Sequence, residues 1–135
     1  MRRVVVTGIG LLTTLGSNKE VTWENLIKGS SGIKKVDHFD VSDLPCKIAG
    51  YLSNDPDDDS YFNKSSLIDS KDIKRNDRFI QYGIAAAKMA IEDANLENIA
   101  EEEKLKIGVS VGSGIGGLET IYEGSLTVAN KGPRK

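Results

Sequence analysis

The apolar positions of this chain change their period as the chain is read. Near the N-terminus, Arg3-Val4-Val5-Val6-Thr7 places three β-branched apolar residues in succession. That pattern predicts a strand buried on both faces, as in a parallel sheet covered by helices. A loop, GIGLLTTLGSN, follows with Gly8, Gly10 and Gly16 spaced through it. Ser17 or Asn18 is placed to cap a short helix carrying Trp23, Leu26 and Ile27 on one side and stopping near Gly29. Strand, glycine-rich turn and helix in that order mark an α/β unit.

Further along, GSSGIKK reads as a turn and Lys47 to Leu52 as a short alternating strand. From Asp77 to Ala94 the period becomes helical. Ile80, Ile84, Ala87 and Ile91 recur at spacings of three and four, and so do Gly83, Ala86/Ala87, Ala90 and Ala94. The second set is small enough to let another backbone come close, so this helix is expected to be sandwiched. Asn95 stands where a left-handed C-terminal cap is wanted. ENIAEEEKLK reads as a solvated connection. Ile107-Gly108-Val109-Ser110-Val111 is a second strand of the buried type, running into GSGIGG. Leu118, Ile121 and Tyr122 then begin another helix, and NKGPRK is turn-rich. Two or three parallel-type strands do not complete an α/β sheet. The expectation is therefore the opening of a larger domain, whose uncovered strands would leave the chain unstable or aggregation-prone alone.

Composition narrows the function classes. The 135 residues hold 18 Lys+Arg against 20 Asp+Glu, a net charge of −2. No basic excess is present to neutralise phosphates, which argues against a nucleic-acid partner. One Cys excludes an intramolecular disulfide framework, and one His cannot make a clustered zinc site. No apolar run approaches the roughly 20 residues of a membrane span. The run Val4 to Val6 is too short for a secretory signal. A soluble, reducing, cytoplasmic setting is expected. Asp55, Asp57, Asp58 and Asp59 crowd around Pro56, and such oxygens suit calcium. The run lacks the spacing, central Gly and closing Glu of an EF-hand loop, so it reads as a solvated loop without metal.

Four features hold candidate chemistry. Gly112 to Gly117 spell G-x-G-x-x-G between a predicted strand and a predicted helix, the context of a dinucleotide fingerprint. That fingerprint needs an acidic residue about 20 positions later, and within these 135 residues only Glu119 and Glu123 follow the motif. Glycines serving a tight turn are the competing explanation. Cys46 reads as a small, semi-buried strand residue, and His38 as a structural or surface residue, because no catalytic triad can be assembled around one His. Lys71, Lys74 and Arg75 stand at i, i+3 and i+4, so a helix would project all of them from one face. Simple solvation explains such a face, and so does docking of an acidic partner.

Taken together, VVVTGIGLLTTLGS, TWENLIKGSSGI, HFDVSDLPCKIAG, RFIQYGIAAAKMAIEDA, IGVSVGSGIGGLETIYE and GPRK, in that order, resemble the β-ketoacyl-acyl carrier protein synthases. These are the elongating condensing enzymes of the thiolase superfamily, and the resemblance covers nearly the whole chain. It is greatest to the bacterial synthases of type II fatty acid biosynthesis. Thr14 stands where many members have Pro, Asn95 where many have Gly, and the Asp-rich loop looks like a local insertion.

The resemblance implies an α/β, thiolase-like fold of layers (α-β-α-β-α), paired as a homodimer, with residues 1–135 as the first part of its N-terminal half. It implies an acyltransferase that needs no cofactor. A cysteine takes the acyl chain as a thioester, two histidines assist decarboxylation of malonyl carrier protein, and the carbanion attacks the thioester. None of those catalytic residues falls in this chain, because Cys46 and His38 do not match them; the chain alone is expected to be inactive. Residue by residue, the resemblance assigns Ile115 to the acyl pocket and Lys71, Lys74 and Arg75 to docking of the acyl carrier protein. The alternatives are a non-catalytic relative of the chain-length-factor type and a dinucleotide-binding module built on Gly112 to Gly117.

Overall fold

Asn18 starts the first helix, as its position before an apolar stretch predicts. A computed structural model describes residues 2–133, so Arg134 and Lys135 of the GPRK stretch lie outside the described residues. The chain divides into two units: residues up to 63 with 85–98, and residues 64–84 with 99 onward.

In the first unit the Asn18 side chain accepts a hydrogen bond from the Val21 N–H at 2.8 Å and opens α1, Lys19–Ile27. Gly29, at φ +70°, closes it. The Gly29 N–H donates to Leu26 O and the Ser30 N–H to Asn25 O, each at 3.0 Å, the paired closure of a Schellman motif. α4, Arg78–Asp93, ends the same way. Asn95 sits at φ 55°, its N–H donates to Glu92 O at 2.9 Å, and the Leu96 N–H donates to Ile91 O at 3.0 Å. Asn is one of the few non-glycine residues that enter this region readily, because its short side chain bonds locally.

The strands differ from expectation. β1, Ile33–Lys35, pairs antiparallel with β2, Ile48–Gly50, with Ile33 opposite Gly50 and Lys35 opposite Ile48. GSSGIKK is thus a turn only as far as Gly32. Its last three residues find a partner, and the Val36 N–H extends the ladder to Lys47 O at 3.0 Å. Arg3 to Thr7 and Ile107 to Val111 form no strand: Val4 is 93% and Val109 86% exposed. A strand exists by its ladder of hydrogen bonds, and an apolar run that has no neighbouring strand expresses its β-propensity nowhere. The parallel sheet is therefore not seen among the described residues.

The small-residue face of α4 does receive a backbone. Gly8 and Gly10 lie against it: a Cβ on Gly8 would stand 2.7 Å from the Ala94 Cβ, and one on Gly10 would stand 2.8 Å from the Ala90 nitrogen. Each would also run into a carbonyl oxygen, Ala90 O for Gly8 and Ala86 O for Gly10. Asp93, at the end of α4, clamps the arrangement. It accepts from the Ile9 N–H at 2.9 Å and pairs with the Lys19 ammonium. The Lys19 hydrogen bond, then the Ile9 amide, hold the Asp93 carboxyl below its ordinary range, and Asp93 in turn raises Lys19. The other stripe is a correction. Ile80, Ala87 and Ile91 of the larger apolar set are exposed, whereas Gln81 and Ala85, four residues apart, are buried.

The Asp-rich loop is not merely solvated; it is tied down. Asp58 accepts from Lys34 Nζ at 2.8 Å and from the Ser60 hydroxyl at 2.6 Å, and Ser60 is buried. The Asp59 side chain accepts from Asn25 Nδ2 at 2.8 Å, and its carbonyl from the Ser17 N–H at 3.0 Å. The Lys34 hydrogen bond, with Ser60 behind it, lowers the Asp58 carboxyl to about 2. A depressed carboxylate contributes stability above its unfolded pKa and loses it as pH falls through the folded one. Amide protection of Ser53 and Ser60 is therefore expected to fade between about pH 4 and pH 2. With 35% of the Asp58 side chain exposed, water screens the pair to about 1 kcal/mol. Lys34→Met should show the same loss already at neutral pH, read by hydrogen exchange. Equal protection at neutral pH in both proteins would refute it.

The second unit is helical. α2, Lys64–Leu67, and α3, Ser70–Arg75, precede the opening turns of α4, and α5, Glu101–Lys104, and α6, Leu118–Lys131, follow. Within ENIAEEEKLK, Lys104 pairs with Glu101 and Lys106 with Glu103, each at 2.6 Å on the exposed surface. Among the described residues no helix is long and apolar enough to cross a membrane.

Candidate functional site

Lys71, Lys74 and Arg75 all lie on α3, are all exposed, and have no ion-pair partner among the described residues. The helical spacing expected from the sequence is met, and a short helix presents three cations together, with the exposed Asp72 among them. α3 has only six residues and Asp69 makes no side-chain cap bond at its start. Its other end is held by a residue that its sequence position does not single out. Gln81, 7% exposed, donates from Nε2 to Ile73 O at 3.0 Å and to Asn76 O at 2.7 Å. The available signal was a polar residue set among Ile80, Gly83 and Ile84.

Asp77, marked in the sequence only as the start of the helical period, joins the start of α4 to the GSGIGG loop. Its carboxylate is bonded by the Thr120 hydroxyl. Gly117 passes so close that an added Cβ would stand 2.7 Å from Asp77 Oδ2. Gly117 also adopts φ +67°, a region that costs a side chain about 1 kcal/mol or more, so glycine suits it on both counts. Gly116 rests on the Phe79 ring, where a Cβ would approach to 2.6 Å, and Arg78 Nε lies 3.3 Å from Glu119. Gly116 and Gly117 thus serve close packing and a turn, whereas a Cβ added at Gly112 or Gly114 would meet nothing within 4 Å. Ile115, at its bend, is 77% exposed.

The other candidates take up no catalytic arrangement. Cys46 is exposed just before β2, not semi-buried in a strand, because the ladder reaches no further back than Lys47 O. Its thiol donates to Ile48 O at 3.3 Å. The His38 ring packs 4.7 Å from that of Tyr51 and 4.9 Å, edge-on, from that of Phe39. The Tyr51 hydroxyl lies 2.9 Å from Lys35 O and 3.0 Å from Asp37 Oδ1; partial burial, then Asp37, raise its pKa. No group of three or more His, Cys, Asp or Glu that could hold a metal occurs among the described residues.

The family model described as "Beta-ketoacyl synthase, N-terminal domain" matches residues 1–135. The chain belongs to the β-ketoacyl synthase family. Among its relatives, the 3-oxoacyl-[acyl-carrier-protein] synthase 2 of Vibrio harveyi is 46% identical over 134 residues, covering 99% of this chain and 30% of that protein. The protein of the same name from Rhizobium meliloti (strain 1021) is 42% identical over 135 residues, covering 100% and 32%. A solved structure, the ishigamide ketosynthase/chain length factor, superposes with a TM-score of 0.60 at 28% identity, over 76% of this chain and 23% of that one. This β-ketoacyl synthase chain thus spans about a third of the length of the curated relatives it matches. The family and the structural neighbour assign it the thiolase-like fold class.

Proposed function

We propose that this chain is the N-terminal portion of a 3-oxoacyl-acyl carrier protein synthase of type II fatty acid biosynthesis, catalysing decarboxylative Claisen condensation of an acyl thioester with malonyl carrier protein. The observation that carries the reading is the family match over residues 1–135, joined to relatives named 3-oxoacyl-[acyl-carrier-protein] synthase 2. On this reading the complete protein builds the α-β-α-β-α layers, pairs as a homodimer and works in the cytoplasm without a cofactor. The nucleophilic cysteine and the two histidines belong to the protein outside this stretch. There the acyl chain would be held as a thioester, with backbone N–H groups stabilising the oxyanion. Cys46 and His38 have no part in that chemistry.

Lys71, Lys74 and Arg75 receive the acidic carrier protein, a role favoured by their exposure and by the absence of ion-pair partners for them among the described residues. Ile115 lines the acyl pocket once the rest of the protein surrounds the GSGIGG loop. Filling that pocket should shorten the product: Ile115→Phe is expected to remove the longest acyl chains from the product profile, read by mass spectrometry. An unchanged profile would reject the gate.

The full-length protein, given acyl and malonyl carrier proteins, should form a 3-oxoacyl product two carbons longer. Its nucleophile should appear as an acyl adduct by intact mass. The second reading, a non-catalytic chain-length-factor relative, is favoured by the likeness to the solved ketosynthase/chain length factor. It requires that the full-length protein form no adduct and no product. The dinucleotide alternative is opposed by Gly116 and Gly117, which pack against Phe79 and Asp77.

A further inference from the structure

The opening of α4 contains a buried polar side chain, Gln81, whose amide is bonded to the end of α3. Gln81 directs its amide nitrogen to two carbonyls, Ile73 O at 3.0 Å and Asn76 O at 2.7 Å. Both lie at the C-terminal end of α3, where a helix leaves its last carbonyls without intrahelical partners. Six residues are too few for a helix to persist by its own propensity. Neither end of α3 has a conventional device: Asp69 makes no side-chain cap bond, and Asn76 is extended (φ −109°, ψ 139°) where a left-handed stop would otherwise serve. The two carbonyls that Gln81 holds bracket Lys74 and Arg75 in the chain. Without the amide, the end of the turn presenting those cations would lose two of its ties and keep the Asn76 N–H bond to Asp72 O at 3.0 Å.

We infer that Gln81 is a positioning residue that holds the cationic face of α3 in the geometry the carrier protein meets. This rests on the reading of Lys71, Lys74 and Arg75 as the docking surface, and it adds the element that orders them. Pre-ordering matters because side chains and backbone that must be fixed on association subtract from affinity. A frayed turn keeps its charges but loses their arrangement.

The test uses the full-length protein and compares one acyl group delivered on the carrier protein with the same group delivered on pantetheine. Gln81→Met preserves length and removes both donors. It should raise KM for the carrier-borne substrate about five-fold, the effect of one or two lost hydrogen bonds, and leave acyl transfer from pantetheine unchanged. Gln81→Asn, which keeps the amide but shortens its reach, should give the same pattern more weakly and serves if the Met variant folds poorly. Equal loss with both substrates would mean a purely structural role and would overturn the inference, as would no change with either. Lys71→Glu with Lys74→Glu is run beside them. If that pair leaves the carrier KM unmoved, the docking reading itself fails and this inference goes with it; if it raises KM while Gln81→Met does not, only the positioning role is lost.

Discussion

Reversing Lys71 and Lys74 to Glu in the full-length protein is expected to weaken binding of the acidic carrier protein by about 10- to 30-fold, at roughly 1 kcal/mol or slightly less for each reversed rim charge. Both side chains are exposed and unpaired among the described residues, so no internal ion pair is broken and the fold is expected to stay intact. The loss should fall mainly on the association rate, because complementary charge steers encounter before contact. Wild-type affinity should therefore drop steeply as salt is raised through the range where the Debye length shrinks below about 10 Å. The variant should show a flatter dependence. Surface plasmon resonance at several ionic strengths measures both quantities, and equal affinities at low salt would remove α3 from the docking surface.

Gly10→Val is the second substitution expected to act strongly, through packing and not charge. A Cβ there would stand 2.8 Å from the Ala90 nitrogen and closer still to the Ala86 carbonyl oxygen. Both are backbone atoms in the middle of α4, so neither can swing aside as a flexible side chain would. The N-terminal segment would have to lift away, giving up the Ile9 N–H bond to Asp93. Overpacking of this kind costs about 3 kcal/mol, a large share of the stability of any small domain. Hydrogen exchange should show lost protection at Ile9 and along the C-terminal half of α4. Gly124→Ala is the control, since nothing lies within 4 Å of the added methyl group. Matching exchange profiles for the two variants would mean that the Gly8–Gly10 segment does not need its glycines.

The local signals were legible where the physics is local. Asn18 caps α1 because a short side chain carrying an oxygen acceptor can reach an orphan N–H two or three residues on, and Asn95 closes α4 because it tolerates the left-handed region. The stripe Ala86, Ala90 and Ala94 announced a close backbone, though not whose; Gly8 and Gly10 supply it. The spacing of Lys71, Lys74 and Arg75 likewise needed nothing but a helical turn.

Pairing was another matter. Val4 to Val6 and Ile107 to Val111 read as buried strands, yet their composition states only what they suit, and a ladder requires a second strand at the right register. Gln81 and Asp77 were missed for a related reason. A glutamine in a helix is usually solvated, and only the placement of the α3 carbonyls beside it turns it into a fastener. From residue order alone, then, come the three longer helices α1, α4 and α6, the caps of α1 and α4, the cationic turn and the family, all set by contacts within a few positions or by motifs met in order. Which backbone covers α4, which strands pair and which polar groups hold the docking turn depend on residues distant in the chain becoming neighbours, and that is a property of the folded arrangement.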